Sequence, residues 1–309
     1  MPTLLITHPA CLDHLTPRGH PERPDRLRAI EAALEAEKFQ TLAREAAPLA
    51  ALETIALCHP MDYITALRDA APDAGLIHLD ADTAMSPGTF EAALRAAGGA
   101  VRAVDEVLEQ RAQNAFVATR PPGHHAETAR PMGFCLFDNA AIAARHAQNH
   151  HGVARAAIVD FDVHHGNGSQ EIFWADKTVM YCSTHQMPLF PGTGAVGESG
   201  EFNTVVNAPL RPGDGAEKFK AAFVERILPR LEDFKPELII ISAGFDAHYR
   251  DPLANINLAE EDFAWATKKI MDVAERHASG RLVSLLEGGY DLQALGNSVA
   301  AHVIALMHG

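Results

Sequence analysis

Short apolar runs alternate with longer stretches of helical periodicity along almost the whole chain. Leu4–Thr7, Phe116–Ala118, Ala156–Asp160, Val179–Ser183, Thr204–Asn207, Leu238–Ala243 and Leu282–Leu286 read as strands. Between them, residues 25–38, 89–110, 139–149, 215–233, 260–278 and 292–307 carry helix-like patterns. Strands alternating with helices of this length predict βαβ units, and so an α/β fold whose parallel sheet is covered on both faces. No Pro/Ser-rich linker, low-complexity tract or internal repeat divides the sequence, so one domain is expected over residues 1–309. Polar, glycine-rich segments follow the strands, at the carboxyl edge where open α/β sheets place their sites.

Composition narrows this picture. The 309 residues suit one large α/β domain or two ordinary ones, and the 47 % hydrophobic content is enough for a sizeable core. A formal charge of −14 argues against nucleic-acid phosphates as partners and is tolerant of a cationic substrate. No apolar run reaches the roughly 20 residues of a membrane span, and the N-terminus lacks a basic segment ahead of an apolar one. A soluble, cytoplasmic protein with no membrane partner is the expectation. Cys11, Cys58, Cys135 and Cys182 are widely spaced and suit reduced, buried thiols better than a metal cluster. Of the 17 histidines, His146, His150, His151, His277 and His308 lie on polar or terminal stretches and receive no role.

The densest chemistry is Asp160-Phe161-Asp162-Val163-His164-His165-Gly166-Asn167-Gly168, directly after the run Ala156–Val159. In extended chain, Asp160, Asp162 and His164 share a face. Two carboxylates and an imidazole at a strand end are costly to bury without a cation or hydrogen-bond partners, and such ligands suit Zn²⁺ or a similar divalent ion. The segment taken alone also reads as a solvated acidic turn with stray histidines.

Four further segments fall at corresponding places. Arg120-Pro121-Pro122-Gly123-His124-His125 offers a rigid loop with a histidine pair, suited to metal binding or to acid–base work near neutral pH, or simply exposed. Asp246, in Ser242-Ala243-Gly244-Phe245-Asp246, is either a third ligand beside Asp162 and His164 or a helix N-cap. Glu287-Gly288-Gly289-Tyr290 turns sharply and can bring a phenolic donor into a cleft. Gly19-His20-Pro21-Glu22-Arg23-Pro24 leads as a rigid loop into the first long helix.

Together and in this order, the blocks HPERPDRL, RPPGHH, DFDVHHGNG, STH, SAGFD and EGGYDL make the chain resemble the histone deacetylase superfamily, which includes acetoin-utilisation proteins and acetylpolyamine amidohydrolases. The resemblance implies an arginase–deacetylase fold around a mainly parallel eight-stranded sheet. It implies a catalytic Zn²⁺, or Fe²⁺ in the cell, held by Asp162, His164 and Asp246. The second aspartate of binuclear arginases is missing after Asp246, so one catalytic ion is expected. By the same resemblance His125 is the general base, His124 an electrostatic partner supported by Asp160, and Tyr290 the oxyanion donor. Asn167 stands where some members carry an aspartate, the class II and bacterial pattern. A neutral amide stabilises an imidazolium less than a carboxylate does, which keeps His125 basic.

The resemblance further implies that Phe134, after Gly133, and Phe190 line a narrow acyl-lysine channel, with Gly288 beside it and Leu253 at its rim. A polyamine-selective relative has a glutamate at that rim position. Arg26 matches an arginine of the inner acetate-release region. Ser183 and Thr184, with Asp160, Asp162 and His164, match a structural K⁺ site, and Phe173, Asp176 and Val179 a second one. Class I enzymes grip the substrate backbone with an aspartate before a Cys-Pro pair. The corresponding stretch here is Met85-Ser86-Pro87, which leaves that grip unassigned. The expected activity is removal of acetyl or short acyl groups from amines, above all the ε-amine of lysine in a peptide or protein. An acetylpolyamine or other small acylated amine is the alternative substrate. No oligomeric state is implied.

Overall fold

A computed structural model of the chain describes residues 1–308. Its elements run β1 (Thr3–Thr7), α1 (Asp25–Leu34), β2 (Ala43–Ala46), α2 (Leu52–Ile55), α3 (Met61–Ala70), β3 (Ile77–His78), β4 (Ala84–Met85), α4 (Thr89–Leu108) and β5 (Asn114–Val117). They continue with α5 (Asn139–His151), β6 (Ala156–Asp160), α6 (Asn167–Ile172), β7 (Val179–Gln186), β8 (Val205–Leu210), α7 (Ala216–Ala222), α8 (Leu228–Phe234), β9 (Leu238–Ala243), α9 (Glu260–His277), β10 (Leu282–Leu286) and α10 (Leu292–His308).

Eight strands form one sheet in the order β2-β1-β5-β10-β9-β6-β7-β8, and every pairing in it is parallel. The expected eight-stranded α/β architecture is therefore present. Successive strand residues feed opposite faces, as the pleat requires. Ile239 and Ile241 pack with α1, α7, α8, α9 and α10, whereas Leu238 and Ile240 pack with α3, α4 and α5. Because the strands are parallel, the ends of β5, β10, β9 and β6, neighbours at the sheet centre, open on one edge.

Three local features depart from the expectation. β2, with the sequence Ala-Arg-Glu-Ala, is an edge strand alternating between half-buried and exposed, so it carries no apolar run to betray it. β3 and β4 form a separate two-stranded antiparallel ribbon too short to leave a pattern. The helix expected over residues 215–233 is α7, a π-turn over Phe223–Ile227, and α8. Pro229 has no N–H to continue the α ladder, and the wider turn precedes it. Among the described residues, no helix is long and apolar enough to cross a membrane.

Candidate active site

At the end of β6, the backbone itself organises the carboxylates. Asp162 Oδ1 accepts the His164 N–H at 2.9 Å and Asp162 Oδ2 accepts the Gly288 N–H at 2.7 Å, while Asp246 Oδ1 accepts the Val163 N–H at 2.8 Å. A Cβ on Gly244 would stand 2.0 Å from Asp162 Oδ2, and one on Gly288 would stand 2.2 Å from Asp246 Oδ2. Only glycine lets these two loops close around the carboxylates.

The result is a buried set of three ligating side chains, Asp162, His164 and Asp246. A tetrahedral ion with bonds of about 2.0–2.1 Å spaces its ligands roughly 3.3 Å apart. His164 Nδ1 stands 3.0 Å from Asp246 Oδ2 and 3.2 Å from Asp162 Oδ1. Two buried carboxylates facing one another across an imidazole need a positive charge, so spacing and chemistry both fit a divalent cation.

Two histidines flank this set from the loop after β5. His124 Nδ1 lies 2.9 Å from Asp160 Oδ2, and His125 Nδ1 lies 2.9 Å from Asn167 Oδ1. Asn167 donates through its amide to Glu127 Oε1 at 2.8 Å, which turns its carbonyl oxygen toward His125. That oxygen only accepts, so His125 Nδ1 carries the proton and Nε2 is left with its lone pair. Gly133 seals the ring in place, since a Cβ there would approach His125 Cδ2 to 2.4 Å.

The environments drive the two histidines apart. Burial opposes charge on both. At His124 the carboxylates of Asp160, Asp162 and Glu287 overcome it and hold the imidazole well above its ordinary value. At His125 burial dominates, and the positive charge of the adjoining His124 reinforces it and holds the imidazole well below. A neutral base beside a cationic partner is the pattern of acid–base sites.

His125, His164, Gly133, Phe134, Leu189, Phe190, Leu253, Tyr290 and Asp82 line one cavity of about 250 Å³. Phe190 packs edge-on to His125 with ring centroids 5.1 Å apart, and Phe134 edge-on to Tyr290 at 6.0 Å. Phe134 and Phe190 thus line the cavity onto which His164 opens. Asp82 also lines this cavity, three residues before Met85-Ser86-Pro87, and supplies a carboxylate that the family motifs do not mark. A larger cavity of about 530 Å³, lined by Gln113, Lys268 and Glu275 among others, has no ligand set of this kind.

Arg26 is fully buried, not a surface helix residue. Its Nε donates to the Gly289 carbonyl at 2.7 Å and its Nη2 to the Glu287 carbonyl at 2.5 Å, and its guanidinium lies 5.0 Å from the Tyr290 ring centre. Glu22, also buried, pairs with both Arg26 and Arg120. Burial keeps the Tyr290 phenol well above its ordinary value, so it remains a proton donor through the working pH range.

Several supports escaped sequence reasoning. Glu287 Oε2 accepts the Gly123 and His124 N–H groups at 2.7 and 3.2 Å, tying the tyrosine loop to the histidine loop. Asp251 accepts the Tyr290 N–H at 2.7 Å and the Leu253 N–H at 3.0 Å. Tyr181 donates to Asp160 at 3.0 Å and accepts the Gly166 N–H at 2.9 Å. A carboxylate following a strand was the available signal for Glu287. Nothing in the sequence marks Asp251 or Tyr181.

The cation expectations fall nearby. Ser183 is the register partner of Asp160 across β6 and β7, and Thr184 follows it, so the main chain around both joins the ligand loop. At the second suggested position, the Asp176 carboxylate pairs with Arg145 at 2.6 Å and its Oδ1 accepts from Thr178.

Comparison with known proteins agrees with this architecture. The model of the histone deacetylase domain matches residues 20–306. "Histone deacetylase 10, chloroplastic" of Oryza sativa subsp. japonica is 42 % identical, over 91 % of this chain and 68 % of that protein. "Histone deacetylase-like amidohydrolase" of Pseudomonas aeruginosa is 41 % identical, over 88 % of this chain and 73 % of its own length. The crystal structure of the HDA15 HD domain superposes with a TM-score of 0.93 at 34 % identity, covering 99 % of this chain and 88 % of that one. The domain match, spanning nearly the whole sequence, and the shared fold place this chain in the histone deacetylase family, whose named relatives are deacetylases and amidohydrolases.

Proposed function

We propose that this protein is a metal-dependent amidohydrolase that removes acetyl or short acyl groups from amines, above all from the ε-amine of acyl-lysine. The observation that carries the reading is that His125, with its Nε2 lone pair free, and Tyr290 line one cavity with His164, which is grouped with the buried carboxylates of Asp162 and Asp246. Asp162, His164 and Asp246 would hold one Zn²⁺, or Fe²⁺ in the cell, which supplies polarisation of the amide carbonyl and acidification of water. His125 takes the proton of the attacking water at Nε2 and returns it to the departing amine. His124, kept charged by Asp160, stabilises negative charge near the carbonyl. Tyr290 donates to the developing oxyanion. Phe134 and Phe190 enclose the methylene chain and exclude water from it. Structural K⁺ bound through main-chain carbonyls near Asp160, Asp162, His164, Ser183 and Thr184 would stiffen the ligand loop.

The rim bears on the substrate. Leu253 is apolar and suits a peptide better than a polycation, whereas Asp82 gives some support to the alternative, an acetylated polyamine or other small amine. The test is inhibition of acetyl-lysine hydrolysis by a hydroxamate on a slim linear linker. Such a compound should inhibit competitively, with potency lost on bulky branching next to the hydroxamate. Absence of inhibition while the metal site is demonstrably filled would refute the channel.

The acidic limb of the pH–rate profile tests the base. Activity requires neutral His125, and burial lowers its pKa, so activity should fall only as pH drops below the ordinary histidine value of about 6.5. Asn167→Asp places a carboxylate at 2.9 Å and favours the imidazolium. The limb should then move up by on the order of one pH unit. An unmoved limb would assign it to another group.

A further inference from the structure

Along the C-terminal half of α5, two helices bring a second set of ligating atoms together. His146 Nε2 lies 2.6 Å and His151 Nε2 2.7 Å from the same oxygen, Oδ1 of Asp105 on α4. The three ligating atoms lie within 4.8 Å of one another. His146 is more than nine-tenths buried and its Nδ1 has no hydrogen-bond partner, so among the described residues Asp105 is the one hydrogen-bond partner of its ring. Its other face stacks on His150 with centroids 4.5 Å apart. Asp105 and His151 keep 28 % and 17 % of their side-chain surface exposed, which leaves a path from solvent.

We propose that Asp105, His146 and His151 form a second divalent-metal site, separate from the catalytic centre. Two imidazoles and one carboxylate on rigid helices select borderline ions such as Zn²⁺, Co²⁺ or Ni²⁺ over Mg²⁺ or Ca²⁺, which prefer oxygen ligands. Tetrahedral bonds of about 2.0–2.1 Å need ligand separations of roughly 3.3 Å, so an entering ion must push Asp105 back by about 0.6 Å. The partly exposed Asp105 and His151 side chains have room for that movement. Open coordination positions would be filled by water. The site lies away from the chemistry because α5 begins beside the catalytic loop, where Asn139 packs on Gly123, and His146 and His151 stand about 10 and 18 Å further along its axis. Bound metal would staple α4 to α5, the helix on which that loop rests.

Equilibrium dialysis against micromolar Co²⁺, followed by elemental analysis, tests this. The wild-type protein should take up two ions per chain. Asp105→Asn and His151→Ala should each take up one, with deacylase activity unchanged and a normal thermal melt in metal-free buffer. Asp246→Ala, altered at the other site, should still take up one. Added Co²⁺ should raise Tm by a few degrees in Asp246→Ala but not when His151→Ala is combined with it. Uptake of a single ion by the wild type overturns the proposal, as does undiminished uptake by Asp105→Asn and His151→Ala, and the three residues then form only a hydrogen-bonded clasp between helices.

Discussion

Tyr290→Phe is expected to lower kcat by roughly 10²–10³-fold, the usual loss for one oxyanion donor, with little change in substrate or metal affinity. The phenolic hydroxyl is the only group removed; the ring still packs against Phe134 and under Arg26. Its hydrogen bond strengthens only as charge develops on the carbonyl oxygen, so the loss falls on kcat rather than on ground-state binding. The backbone offers this donor little freedom. Asp251 holds the Tyr290 N–H, Arg26 holds the Glu287 and Gly289 carbonyls, and Gly289 takes a φ of +121° that other residues rarely adopt. Steady-state rates on an acetyl-lysine reporter decide the matter. A Tyr290→Phe enzyme within about threefold of wild type, a margin under 1 kcal/mol, would remove this tyrosine from the mechanism.

Asp246→Ala should abolish metal binding at the Asp162–His164 set and almost all activity. In a His151→Ala background dialysed against metal-free buffer, the protein should retain one ion per chain and the added Asp246→Ala substitution should leave none. The loss is large because Asp246 serves twice. Oδ2 faces His164 at 3.0 Å and Oδ1 accepts the Val163 N–H at 2.8 Å, so removing the carboxylate deletes a ligand and frees the loop that carries the other two. Stoichiometric ion in that dialysed double variant, measured by elemental analysis, would rule out its ligand role.

Much of this arrangement was legible in the sequence because the signals are local. The apolar runs Ala156–Asp160 and Leu238–Ala243 announce buried strands, and the polar residues directly after them fall at the sheet edge by construction. Strand β2 was invisible because half of it faces solvent, and the α7–α8 break was misread because apolar spacing continues past Pro229 while the hydrogen bonding does not. The supporting shell was illegible for another reason. Glu22 meets Arg120 across 98 residues, and Glu287 meets Gly123 across 164. A buried charge is recognisable only once its partner is known. Burial without a full complement of partners raises the Glu287 carboxyl to about 8 and leaves its Oε1 unpaired, and no local pattern predicts either. His146 illustrates the same limit: it lies in a polar helical stretch, yet the approach of α4 buries it.

The central claim is hydrolysis of an acylated amine, with lysine preferred. Acetate release from an acetyl-lysine peptide and from an acetylated polyamine, measured side by side with the Zn²⁺-loaded protein, tests it most directly. Both substrates should release acetate, with the higher kcat/KM for the peptide. Faster turnover of the polyamine would overturn the substrate assignment, and no acetate from either would contradict the reaction itself.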